Sequence, residues 1–381
     1  MVESLHVFSE TRTQRDGQVT IRATVEQHGQ ERRSLWYRVP EEFAYAVTPS
    51  SDPFVLSILF KAMRERTDLV IHGEVSPALL RNLEEFQSVW AMCLPQRYAA
   101  VEIQADTVKE QPRAAHDGAL CAISGGVDGL FTARRHRMGL CGRRARNLQA
   151  GVFVQGFDIP LKQNDVYAYA LGNAREMLAS IGMQVIPLAT NIQSLHNYWF
   201  DVFGSAVVSC LMLLQGGWNT GLIASSDWYD ALDIPYGSSC LTDRMLSSGA
   251  FTIVHDGADA YRVDKVRTLM DWPEARKHLR VCWQSDLFEN CCRCRKCVRT
   301  ILEFRAVGAG LPECFARDVR NWQILTSGSA AIEYEYHVKT LARAKERGVK
   351  DSWVWALRAA AQIGRARGAA KKIVTRARDK N

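Results

Sequence analysis

Several familiar signals are missing from this chain. No apolar run reaches the ~18 residues that a membrane-spanning helix needs. The opening stretch, MVESLHVFSETRTQRDG, lacks the basic-then-apolar layout of a secretory leader, so a cytoplasmic protein is expected. The pattern GxxxxGK[ST] does not occur, which excludes a Walker-type phosphate loop. Charge of one sign is not scarce enough, nor apolar content low enough, for a disordered chain: 47% of residues are hydrophobic and 23% charged.

What is present is a chain of 381 residues, long enough for two or three domains. The net charge of +7 is unevenly spread. One basic run covers Ala133 to Asn147, and another closes the chain. Basic runs suit polyanionic ligands, although solvated helix faces carry such runs too. Of eleven cysteines, five fall between Cys282 and Cys297. In a reducing compartment that crowding points to metal rather than disulfides.

The stretch GALCAISGGVDG, Gly118 to Gly129, reads as a short apolar strand, a Gly-Gly bend and the start of a helix. Glycine allows tight backbone and positive φ. A ligand can then approach bare N–H groups, and the helix that follows adds unpaired donors and the positive end of its dipole. The product is an anion cradle at the carboxyl end of a strand. Ser124, Gly125, Gly126, Val127, Asp128 and Gly129 are its candidate ligand-binding residues.

Residues 1–112 read as a separate, smaller α+β domain. Val19, Ile21, Ala23 and Val25 alternate, as in a half-buried strand, and Ser34 to Pro40 returns after a turn at His28-Gly29. Phe54 to Met63 reads as a buried helix. Ser76-Pro77 opens another, with Ser76 as N-cap. His72 and Cys93 are taken as packing residues. Residues 113–325 alternate strands with helices, which implies βαβ units and a parallel sheet. Loops after these strands supply further candidates: Gln155 and Asp158, then Ser225, Ser226 and Asp227, then the stretch from Tyr236 to Arg244. Arg262 and Lys265 lie one turn apart on one helix face. Residues 326–381 read as a basic helical tail. From Asp351 it holds eight basic and two acidic residues, and Trp353, Leu357 and Ala361 share a face. Such ends bind nucleic acid, membrane surface or a partner, or simply fray into solvent.

Cys282, Cys291, Cys294 and Cys297 form C-x8-C-x2-C-x2-C. Four soft thiolates at this spacing suit tetrahedral zinc, in a structural rather than a catalytic site. An iron–sulfur cluster is the alternative. Cys292 is left over, either as a buried thiol or as a reactive one.

SGGVDG resembles the SGG-x-DS loop of the ATP pyrophosphatase (PP-loop) superfamily, with Gly129 where that pattern has its last Ser. With the cysteine spacing added, Asp117 to Gly308 is similar to the 7-cyano-7-deazaguanine synthase family. The resemblance implies a Rossmann-like (adenine nucleotide alpha hydrolase-like) α/β domain with a zinc knuckle. It implies ATP, Mg and Zn as cofactors, and catalytic roles for Asp128 and for Lys265 or Arg262. It also implies adenylation of a carboxylate or amide oxygen of a small-molecule substrate, with release of pyrophosphate and attack by ammonia or another nucleophile. No glutaminase motif is evident, so ammonia would arrive free or from a donor protein. A homodimer is possible. Two other functions remain open: tRNA or nucleotide sulfur transfer through Cys292 or a CxxC pair, and nucleotide binding without turnover.

Overall fold

The computed structural model describes residues 4–232, 234–282, 284, 288–327, 330 and 333–378, with the side chains of 327 and 371–378 outside the description. Much of the basic tail's charge therefore lies outside the described residues. The chain forms two compact units: Met1–Ser124 with Thr132–Asp259, and Gly125–Phe131 with Ala260–Asn381.

The first unit is α/β and is built on an 11-stranded sheet. Its strands are β1 (Ser4–Ser9), β2 (Thr13–Arg15), β3 (Gln18–Gln27), β4 (Arg33–Pro40), β5 (Asp68–Val75), β6 (Ile103–Val108), β7 (Ala119–Ala122), β8 (Leu148–Gln155), β9 (Gln184–Thr190), β10 (Thr220–Ala224) and β11 (Thr252–Asp256). The order is β11-β10-β7-β8-β9-β4-β3-β1-β5-β6, with β2 on β3. The run from β11 to β9 is parallel, as are β1, β5 and β6 among themselves. Helices α1 (Asp52–Glu65), α2 (Pro77–Cys93), α4 (Asn164–Ala179) and α5 (Trp199–Met212) also belong to this unit, while α3 (Val127–Arg137) continues into it from the second.

The sheet overturns the division placed at residue 112. β4 has β3 on one side, paired from Gln18↔Pro40 to Val25↔Arg33, and its other edge needs a partner. That partner is β9, through Tyr37↔Thr190 and Arg38↔Ala189. Asn191 extends the seam: its Oδ1 accepts from Trp36 N–H at 2.9 Å and its Nδ2 donates to Ser34 O at 2.7 Å. A single apolar core follows, holding Leu5, Phe54 and Leu56 together with Ile186, Leu211 and Trp218. Backbone donors left at an edge cost more than a long-range pairing does. The N-terminal strands and the later ones are therefore one body.

Local readings fare unevenly. Val19, Ile21, Ala23 and Val25 are buried, and Gly29 turns with φ +73°. α2 begins at Pro77 with Ser76 at the N-cap position, as expected, but the Ser76 side chain makes no capping bond. The Ser76 hydroxyl instead donates to Asp52 Oδ2 at 2.5 Å, and its N–H donates to Oδ1. Burial raises the Asp52 carboxyl above its ordinary range, against these donors. His72 packs, its ring stacked on Phe8 at 4.1 Å with His6 and Asp106 beside it, whereas Cys93 is exposed and does not.

The second unit is helical, with α6 (Arg262–Leu269), α7 (Pro273–His278), α8 (Arg295–Val307), α9 (Asn321–Ser327), α10 (Tyr334–Glu346) and α11 (Ser352–Arg378). α8 is its axis and buries Val298, Ile301, Leu302, Phe304 and Val307. Gly308, with φ +80°, ends it. α11 buries Trp353, Leu357 and Ala361, the face read from sequence, and it runs on through Gly364 and Gly368. No described helix is long and apolar enough to cross a membrane.

Candidate metal centre and phosphate loop

The four cysteines of the x8-x2-x2 pattern come together in the second unit. Their sulfurs all lie within 4.8 Å of one another. Cys282–Cys294 is 3.9 Å, Cys291–Cys297 is 3.8 Å and Cys294–Cys297 is 3.5 Å. Tetrahedral zinc with Zn–S of ~2.3 Å puts its sulfurs ~3.8 Å apart. The donor set therefore fits such an ion in both chemistry and spacing. Cys294 N–H donates to Cys291 Sγ at 3.3 Å, which steadies a thiolate there. The hydrogen bond shared with Cys297 holds Cys294 below the ordinary thiol value, at about 5. Asn290 fastens the arms of the knuckle: its Oδ1 accepts from the N–H groups of Val281 and Cys282, and its Nδ2 donates to Leu279 O and Cys314 O. Cys297 then falls in the first turn of α8, so the cluster is tied to the best-buried helix of the unit. Cys292 stays out of the cluster. It is buried, with φ +57°, and its thiol donates to Asn290 O at 3.3 Å.

The glycine bend follows β7. Ser124 is exposed, and Gly126, Asp128 and Gly129 are half-buried, while Gly125 and Val127 are buried. Gly125 has φ +77°, where a side chain would be strained. Its carbonyl accepts from Arg280 N–H at 2.8 Å, which fixes the bend from within the second unit. Leu130 N–H already bonds Gly126 O, so α3 winds from the bend onward and its first N–H groups face outward from the helix start.

Lys265 and Asp128, named separately from sequence, meet here: Nζ lies 2.9 Å from Oδ1. Burial acts to raise the Asp128 carboxyl, but Lys265 and then Arg262 outweigh it and hold the group below the carboxylate range. Arg262 itself turns inward. Its guanidinium pairs with Glu303 and reaches Thr300 Oγ1 at 3.2 Å. Arg299 continues the chain of charges, 3.3 Å from Glu333 and with its guanidinium 3.9 Å from the Tyr336 ring centre. Burial raises the Glu303 carboxyl, opposed by Arg262 and Arg299. Lys265, Arg262 and Arg299 thus alternate with Asp128, Glu303 and Glu333 in the packing of α3, α6, α8 and α10.

The remaining candidates stand at carboxyl ends of strands in the first unit. The chain runs from β7 to β8 and β9 in one direction, and β10 returns to the other side of β7. The reversal between β7 and β10 is a topological switch point, the usual ligand crevice in such sheets. Ser124 follows β7, and Ser225, Ser226 and Asp227 follow β10. Ser225 spends its hydroxyl on Asp227 O at 2.7 Å, while Ser226 and Asp227 are half-buried. Gln155 is not presented to a ligand: it is buried, and its Nε2 holds Leu161 O and Asn164 Oδ1. Asp158 is exposed in the same loop.

Sequence reading missed Glu303, Arg299 and Glu333, because nothing local marks which charged side chains of α8 and before α10 turn inward. It also passed over His255, which carries no local motif, while Asp243 falls in the candidate stretch from Tyr236 to Arg244. No family model matches the chain, and no curated protein and no solved structure matches it.

Proposed function

We propose that the protein is an ATP-dependent adenylating enzyme with a Rossmann-like nucleotide fold, in which the bend from Ser124 to Gly129 receives the phosphates of ATP. The observation that carries this reading is the Lys265–Asp128 pair at the first turn of α3, directly after a positive-φ glycine. Bare N–H groups, a helix start and a cation held in place are what a pyrophosphate leaving group requires.

In this reading a carboxylate or amide oxygen of a small acid attacks the α-phosphorus of ATP, and pyrophosphate leaves. Lys265 neutralises charge developing on the leaving group, and Arg262, locked to Glu303, keeps Lys265 in register rather than touching phosphate. Asp128 would hold Mg2+, which would neutralise the phosphate oxygens. The adenylate then yields to ammonia or another nucleophile, and AMP departs. The cysteine cluster holds zinc as a structural ion. The buried, backbone-bonded thiol of Cys292 speaks against a persulfide carrier.

Incubation of the protein with ATP, Mg2+ and a panel of small carboxylic acids, with nucleotide products resolved by chromatography, tests the reading. AMP with pyrophosphate is expected, and Lys265→Met should lower the rate at least about a hundredfold, the scale of one transition-state contact. ADP with phosphate as products would overturn it.

A further inference from the structure

Helix α11 carries two apolar faces, and only one of them is packed. The inward face holds Trp353, Leu357, Ala360 and Ala361, all buried. On the opposite side runs a second stripe: Trp355, Ala359, Ile363, Ala366 and Ala370. Its members recur at steps of three and four residues, which keeps them in line along one side of an α-helix. Every one of them is exposed, Trp355 at 67% and Ile363 at 40%. A single apolar side chain in water is ordinary, but a stripe about four turns long is not.

The charge around this stripe has one sign. From Ser352 to Arg378 the sequence holds seven basic residues and no Asp or Glu. Arg358 and Arg365 border the stripe on one side and Arg367 on the other, all three exposed. The Arg358 guanidinium lies 4.9 Å from the centre of the Trp355 ring. α9 is tied to the first residue of α11, Asn321 Nδ2 donating to Ser352 Oγ at 3.1 Å. It too leaves apolar side chains uncovered, with Trp322 61% and Leu325 38% exposed. An apolar stripe between rows of arginine matches acyl chains beneath anionic headgroups in both polarity and charge. Tryptophan suits that boundary, its ring in the apolar layer and its N–H in the wet one. Nucleic acid would use the arginines and leave Trp355 and Ile363 in water. A second copy of α11 would cover the stripe but set Arg358 and Arg365 against like charge.

We propose that the outer face of α11 is a docking surface for an anionic phospholipid bilayer. The helix lies in the plane of the headgroups, with Trp355 and Ile363 inserted below them and Arg358, Arg365 and Arg367 at the level of the phosphates. It rests on the bilayer without crossing it, since no described helix is long and apolar enough to span one. Neither ATP nor the phosphate loop enters this inference, so it stands or falls apart from the adenylation reading.

Co-sedimentation of the full chain with large vesicles, without nucleotide, tests the surface. Vesicles of phosphatidylcholine alone are compared with vesicles of three parts phosphatidylcholine to one part phosphatidylglycerol. Binding is expected to the mixed vesicles only, and it should weaken as NaCl is raised. One basic residue near an anionic surface is worth about fivefold in partitioning, so Arg358→Gln with Arg365→Gln should weaken binding about twenty-five-fold. Trp355→Ser with Ile363→Ser should weaken it at least about tenfold. All four side chains are exposed, so the melting temperature should stay that of the unmutated chain. A second readout needs no variant: brominated phosphatidylcholine in the mixed vesicles should quench the tryptophan emission of the unmutated protein. No binding to the mixed vesicles, or binding that the Trp355 and Ile363 changes leave intact, would overturn the proposal. So would tighter binding to duplex RNA than to the mixed vesicles, or a dimer in sedimentation equilibrium that the Trp355 and Ile363 changes dissolve.

Discussion

At the scale of single residues, half-buried His196 and buried Glu303 make opposite demands on their surroundings. His196 donates from Nε2 to Ser57 O at 2.7 Å, and burial lowers its pKa from 6.5 to about 4. The folded state therefore holds a neutral ring. Between pH 6.5 and 4 the unfolded chain binds the extra proton, so stability is full above 6.5 and is lost as pH falls toward 4. Melting temperatures at pH 7 and pH 5 should show that loss, and His196→Gln should flatten it. Glu303 and Arg262 are a buried ion pair, and removing one partner strands the other charge. Glu303→Leu should cost about 3–5 kcal/mol in urea unfolding. The double variant Glu303→Leu with Arg262→Met should recover most of that, because it is the unpaired charge that is expensive.

At the scale of elements, the knuckle is the part whose stability is expected to depend on an ion. Four thiolates gathered within 4.8 Å repel one another unless metal neutralises them. The expected content is one zinc per chain by elemental analysis. Cys294→Ser should abolish it, as should a strong chelator, with a drop in melting temperature as α8 loses its anchor. In zinc-finger peptides such binding is worth about 10 kcal/mol. Full zinc-free stability would show that the cluster carries no ion.

At the scale of the whole molecule, the sheet makes the N-terminal segment indispensable. Without residues 1–112, β9 would lose the antiparallel partner at its edge, and the core around Ile186 and Leu211 would open to water. A chain beginning at residue 113 should be insoluble or aggregate on refolding, which expression and light scattering would register. A soluble, cooperatively folding fragment would contradict the single-sheet architecture.

The signals legible in the sequence were those written over short distances. Period-two burial placed β3, the CxxC steps located the four-cysteine cluster, and a Gly-Gly bend before Asp128 marked the start of α3. The amphipathic face of Trp353, Leu357 and Ala361 was equally plain. Each depends on neighbours within a few residues, whose geometry the backbone dictates. Tertiary structure alone decided the rest. It joined the β4 and β9 segments across 155 residues of chain, drew the Ser76 side chain away from its helix to Asp52, and turned Arg262 inward to Glu303. These outcomes depend on which unsatisfied edge, charge or donor finds which distant complement, and no local pattern records that choice.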